Sequence, residues 1–128
     1  MVFQGKIKKL RNFLFGFEEI VFSICFGDYL KEIGYKNSKL GIAIYFNNKK
    51  SFKESVRFLG FMASKFYENI EFVSLNERIE KYSSPFLFEL LNKGVILFVK
   101  NQEIYDKWAL SVFNYYFDVE KIRNKFYV

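Results

Sequence analysis

Two apolar runs of strand length, EEIVFSICFG ending at Gly27 and KLGIAIYF ending at Phe46, flank the polar stretch Asp28 to Lys39. No other feature constrains the fold as tightly. Both runs set β-branched and aromatic residues at successive positions, so neither face of either strand can be left in water. Strands buried on both faces belong inside a sheet that carries cover on both sides. Lying so close in sequence, the two are expected to pair as neighbours.

The rest of the chain supplies the cover. Ile7, Leu10, Leu14 and Phe17 recur at helical spacing within Gln4 to Phe17, and Lys6, Lys8, Lys9 and Arg11 form a basic face there. Ser51 followed by Glu54 is a capping box at the head of a second helix, with apolar residues at Phe52, Val56, Leu59, Ala63 and Phe66. Ile70 to Leu75 reads as a third strand. SSPFLFELLNKG gives a short helix with Ser84 as cap, Pro85 at the first helical position and Gly94 past the end. VILFV is a fourth strand. Ile104, Trp108, Val112, Tyr115, Val119, Ile122 and Phe126 then step through a long last helix. The order is αββαβαβα. The expected fold is α/β (α+β), a mixed sheet of about four strands packed with helices, in a single domain over residues 1–128.

Composition narrows the chemistry. The chain has no histidine, which removes imidazole ligands and the commonest general base. Its one cysteine, Cys25, rules out an internal disulfide and sits in an apolar strand, where an inert buried thiol is expected. Neither a signal peptide nor a membrane-length apolar segment is visible, so a cytoplasmic location is the expectation. The net charge of +6 is carried by residues 1–64, which hold 11 Lys/Arg against 5 Asp/Glu, whereas residues 65–128 hold 9 of each. A phosphate-bearing or acidic partner on the basic side and a merely solvated surface are both open. Trp108, Tyr115 and Tyr116 are most simply core, though part of that aromatic stripe can instead serve as a partner surface.

The segment CFGDYLKEIGYKNSKLGIAIYF resembles the signature of the minimal nucleotidyltransferases, small members of the DNA polymerase β-like superfamily. That signature is an apolar strand, Gly-Ser, a polar linker, Ser-Asp-x-Asp and a second apolar strand. The match is gapless. Phe26-Gly27 stands at the Phe-Gly pair, Asp28 at the serine, and Ser38 before the acidic pair. Lys39 and Gly41 occupy the two aspartate positions. IEFVSLN resembles the third strand, with its carboxylate at Glu71. ELLNKGVILF and YYFDVEKIRNKF resemble later segments, so the likeness runs from about Phe13 onwards. The chain is a few residues longer than the pattern between Asn76 and Gly94.

Nucleotidyl transfer needs two magnesium ions to clamp the attacking and leaving oxygens, and carboxylates to anchor them. Two aspartates at i and i+2 on one strand share a face, and a third carboxylate from the next strand completes the set. Here Gly41 brings no ligand. Lys39 brings a positive charge where a cation would sit, and Asp28 an anion where a polyphosphate would lie. An ion pair of Lys39 with Asp28 or Glu71 would stand in for the metal. The resemblance therefore implies no resident metal or cofactor and a degenerate, catalytically inactive member of the family. Gly27, Asp28, Lys31 and Ser38 are its remnant nucleotide-binding positions, and Glu71 its remnant carboxylate. Such proteins pair with helical HEPN-domain proteins in toxin–antitoxin modules, which implies an antitoxin-like protein partner of HEPN type. Two alternatives remain at this stage: an active Mg²⁺-dependent nucleotidyltransferase moving NMP from NTP, and a nucleotide or nucleic-acid binder without catalysis.

Overall fold

The computed structural model describes residues 2–27, 40–47, 54, 57, 60, 61 and 70–127. Helix α1 spans Val2–Phe15, strand β1 Ile20–Phe26, β2 Leu40–Phe46 and β3 Ile70–Ser74. A 3-10 turn, Ile79–Lys81, precedes α2 (Ser84–Lys93), β4 (Val95–Val99) and α3 (Gln102–Tyr127). Most of the helix expected after Ser51 lies outside the described residues. Glu54, Arg57, Gly60 and Phe61, which are described, are helical.

The four strands form one mixed sheet in the order β3-β2-β1-β4. The two apolar runs pair antiparallel, with Phe26 opposite Gly41, Ile24 opposite Ala43 and Phe22 opposite Tyr45. Strand β4 joins the other side of β1, also antiparallel, and β3 runs parallel to β2. The sheet is thus buried where the sequence is most continuously apolar, and its edges are the two shorter strands.

Alternation along β2 divides the core in two. Leu40, Ile42, Ile44 and Phe46 face α1 and pack with Leu10 and Leu14. The opposite face is covered by α2 and α3, through Leu87, Leu90 and Val112 packed on Phe22, Ile24 and Ala43. A register shift between Ile20 and Phe22 lets Val21 and Phe22 both join this second cluster, as an extra residue in one strand re-aims its neighbours. Ser23, fully buried, donates its hydroxyl to the Ala43 carbonyl at 3.0 Å, so no polar atom is stranded there.

Two local details differ from expectation. The cap of α2 is Ser83, whose side chain accepts from the Phe86 amide, while Ser84 is already helical and buried. Two adjacent serines offer the same cap chemistry, and burial of the second decides between them. Ile122, expected on the buried stripe of α3, is instead exposed.

Past β3, Asn76 closes the end of β2. Its Oδ1 accepts from the Phe46 amide at 2.7 Å and its Nδ2 donates to the Phe46 carbonyl at 2.8 Å, which imitates one more rung of ladder. Tyr82 secures the same turn by donating to the Ser74 carbonyl and accepting from the Glu77 amide at 3.1 Å. Asn76→Ala removes both hydrogen bonds to the Phe46 backbone, and chemical denaturation should show a loss of about 1–3 kcal/mol.

Candidate functional site

The described motif residues Gly27, Gly41 and Glu71 lie where β1 ends and β2 and β3 begin. Gly27 follows β1 with φ 114°, a conformation that side chains rarely adopt, and this fixes glycine at the turn. Phe26, Gly41 and Glu71 lie in one row across three adjacent strands, since Phe26 pairs with Gly41 and Gly41 with Glu71. Residues directly opposite in a ladder share a face. The row therefore lies on the face covered by α2 and α3.

The space above Gly41 is filled. A Cβ placed on Gly41 would lie 2.7 Å from Cε1 of Phe26, with Cε2 and Cζ closer still. Phe26 is held there by an edge-on contact with Phe86 of α2, the ring centroids 5.3 Å apart. Large residues on β1 sit over small ones on β2: Phe26 over Gly41, Ile24 opposite Ala43. Glu71, next in the row, is exposed. Asp28, Lys31, Ser38 and Lys39 lie outside the described residues, as does any ion pair of Lys39.

Magnesium calls for several oxygen ligands anchored by carboxylates. Glu71 supplies one carboxylate, Gly41 none, and an aromatic ring stands where the Gly41 side chain would project. No cluster of three or more metal-ligating side chains occurs among the described residues. The described part of this site does not fit a two-metal centre.

The motif names Phe26 only as the residue before Gly27, and it does not include Phe86. The signal was present in the register: antiparallel pairing of the two apolar runs across a turn sets an aromatic residue opposite a glycine. A cavity of about 630 Å³ lies at the other end of β2, lined by Tyr45, Asn47, Leu75, Asn76 and Trp108 among others. Gly27, Gly41 and Glu71 do not line it.

Cys25, one residue from the row, points to the α1 face and is fully buried. Burial pushes its thiol up to about 12 from an ordinary value of 9.0. Because the folded state holds the thiol proton more tightly, its contribution to stability is present at neutral pH and declines as pH rises from about 9 towards 12. That decline should be steeper in the native sequence than in Cys25→Ala. A thiol reagent should leave Cys25 unlabelled until the chain unfolds.

With this geometry, the family is decided by a match to the description "Polymerase beta, Nucleotidyltransferase" over residues 8–103. The chain belongs to that family. No curated protein matches it. Among solved structures, it is similar to the crystal structure of a toxin–antitoxin with AMP-PNP, at 16% identity and TM-score 0.67, over 93% of this chain and 92% of that one. It is likewise similar to a toxin–antitoxin MntA-HepT structure, at 16% identity and TM-score 0.65, over 96% and 94%. A third is a tri-AMPylated Shewanella oneidensis HEPN toxin in complex with MNT antitoxin, at 14% identity and TM-score 0.64, over 93% and 94%. At such identities the likeness establishes the fold, a polymerase β-type nucleotidyltransferase fold along nearly the whole chain. No described helix is long and apolar enough to cross a membrane.

Proposed function

We propose that this chain is a non-catalytic nucleotidyltransferase-fold protein that acts by contact, as an antitoxin-like partner of a helical HEPN-type toxin. The observation that carries the proposal is the Phe26 ring over Gly41, which leaves the second ligand position of the motif without a donor or room for one. A protein partner is supported by the solved structures that share the fold, which are complexes of toxin with antitoxin. Those relatives include one described as bound to AMP-PNP and one whose toxin is AMPylated, and this chain retains the fold without the carboxylate pair.

Contact needs neither metal nor nucleotide. Co-expression with a HEPN protein should give a complex that survives gel filtration in excess EDTA and without ATP. Mutation of Glu71 to alanine should leave that complex intact. Failure to form a complex, or formation only with Mg²⁺ and ATP present, would overturn the proposal.

A further inference from the structure

Helix α3 carries a group of exposed apolar residues near its middle, and Ile122 is exposed further along. Leu110, Phe113 and Phe117 are 60%, 48% and 42% exposed. Phe113 and Phe117 adjoin Phe88 of α2, and they contact one another with ring centroids 4.6 Å apart. Contiguous aromatic surface of this kind is uncommon on a monomer and marks an interface.

The sequence along this face says what covers it. Residues 106, 110, 113, 117 and 121 step by fours and threes, so they share one side of the helix. The stripe runs from an acid, Asp106, through Leu110, Phe113 and Phe117, to a base, Lys121. Asp106 and Lys121 are both exposed. The pattern is its own complement when reversed. A two-fold axis between Phe113 and Asn114 sets Asp106 against Lys121 of a second copy and Leu110 against Phe117 of that copy. It also brings Phe113 beside Asn114 of the other chain. That axis falls near the midpoint of the 26-residue helix, so two helices of about 39 Å overlap along almost their whole length.

We infer that α3 is a homodimer interface, packing antiparallel on the α3 of a second copy through Leu110, Phe113 and Phe117, with Asp106 and Lys121 fixing the register. An isologous contact of this form closes on itself and stops at two copies. The interface lies on the outer face of α3, away from the Phe26–Gly41 row, and does not depend on the proposed function.

Sedimentation velocity of the full chain over a concentration series tests it, with circular dichroism to confirm folding. The native chain should pass from monomer to dimer as concentration rises. Phe113→Asp should be monomeric throughout. Because that substitution alters several ring contacts, charge reversal is the sharper test. Asp106→Lys and Lys121→Asp should each weaken the dimer about tenfold, since symmetry places each change in the interface twice. The doubly reversed chain should recover native affinity, which a merely structural role for either residue would not produce. A native chain monomeric at all concentrations, a dimer indifferent to Phe113→Asp, or reversals that fail to rescue one another would each overturn the inference. So would a toxin that takes this face while the free chain never self-associates.

Discussion

An aspartate placed at position 41 should damage this protein rather than equip it for catalysis. Gly41→Asp is expected to lower unfolding stability by about 3 kcal/mol or more, measured from denaturant midpoints, and to confer no nucleotide transfer. The cost has two sources. Any side chain at 41 must displace the Phe26 ring, which is held against Phe86, and overpacking of this type costs about 1–3 kcal/mol. A carboxylate also enters a buried strand position with no described partner, which adds about 1–3 kcal/mol or shifts its protonation. Gly41→Ala isolates the steric part. Adding Phe26→Ala should then cost less than the sum of the single changes, because the clash it relieves exists only when position 41 carries a side chain. A Gly41→Asp chain as stable as the native one would show that the ring swings aside freely, and the filled-site account would fail.

Phe22→Ala should have an effect of similar size through a different route. Phe22 is fully buried at the centre of β1. It stacks on Tyr45 at 5.0 Å, meets Tyr105 edge-on at 5.1 Å and lies 5.2 Å from Trp108. This ring carries several of the contacts between the sheet and α3, and truncating such a phenylalanine costs about 3–5 kcal/mol. Trp108 is the chain's single tryptophan, so its fluorescence reports the same site. The variant should emit at longer wavelength before any global unfolding. A loss under about 1 kcal/mol with unchanged emission would place the anchor of α3 elsewhere.

The strands were legible because burial on both faces writes a continuous apolar run. β2 and β4 begin and end where the sequence suggests, and pairing of β1 with β2 followed from the short stretch between them. Placement of β4 on the far side of β1 was not legible, since VILFV carries no sign of which edge it joins. Helix boundaries were blurred where chemistry was duplicated, as at Ser83 and Ser84. The last helix was harder still. Its core stripe through Trp108, Val112 and Tyr115 was visible, but the chain is so aromatic that the outward Leu110, Phe113 and Phe117 did not stand apart from it.

The candidate site divides in the same way. The gapless motif located Gly27 and Gly41, the third-strand resemblance located Glu71, and the structure brings Gly41 and Glu71 into one row with Phe26. That the Phe26 ring occupies the space over Gly41 depends on cross-strand register, which only pairing reveals. The sequence hinted at the consequence through Lys39 and Gly41 at the two aspartate positions. It could not show that the space over Gly41 is filled by a side chain from the neighbouring strand.

The most direct test of a fold that works by contact is a transfer assay with labelled ATP and Mg²⁺, using the chain together with a HEPN partner. No label should enter the partner, while the two proteins still form a stable complex in the same tube. Mg²⁺-dependent labelling of the partner that disappears in Glu71→Ala would contradict the account.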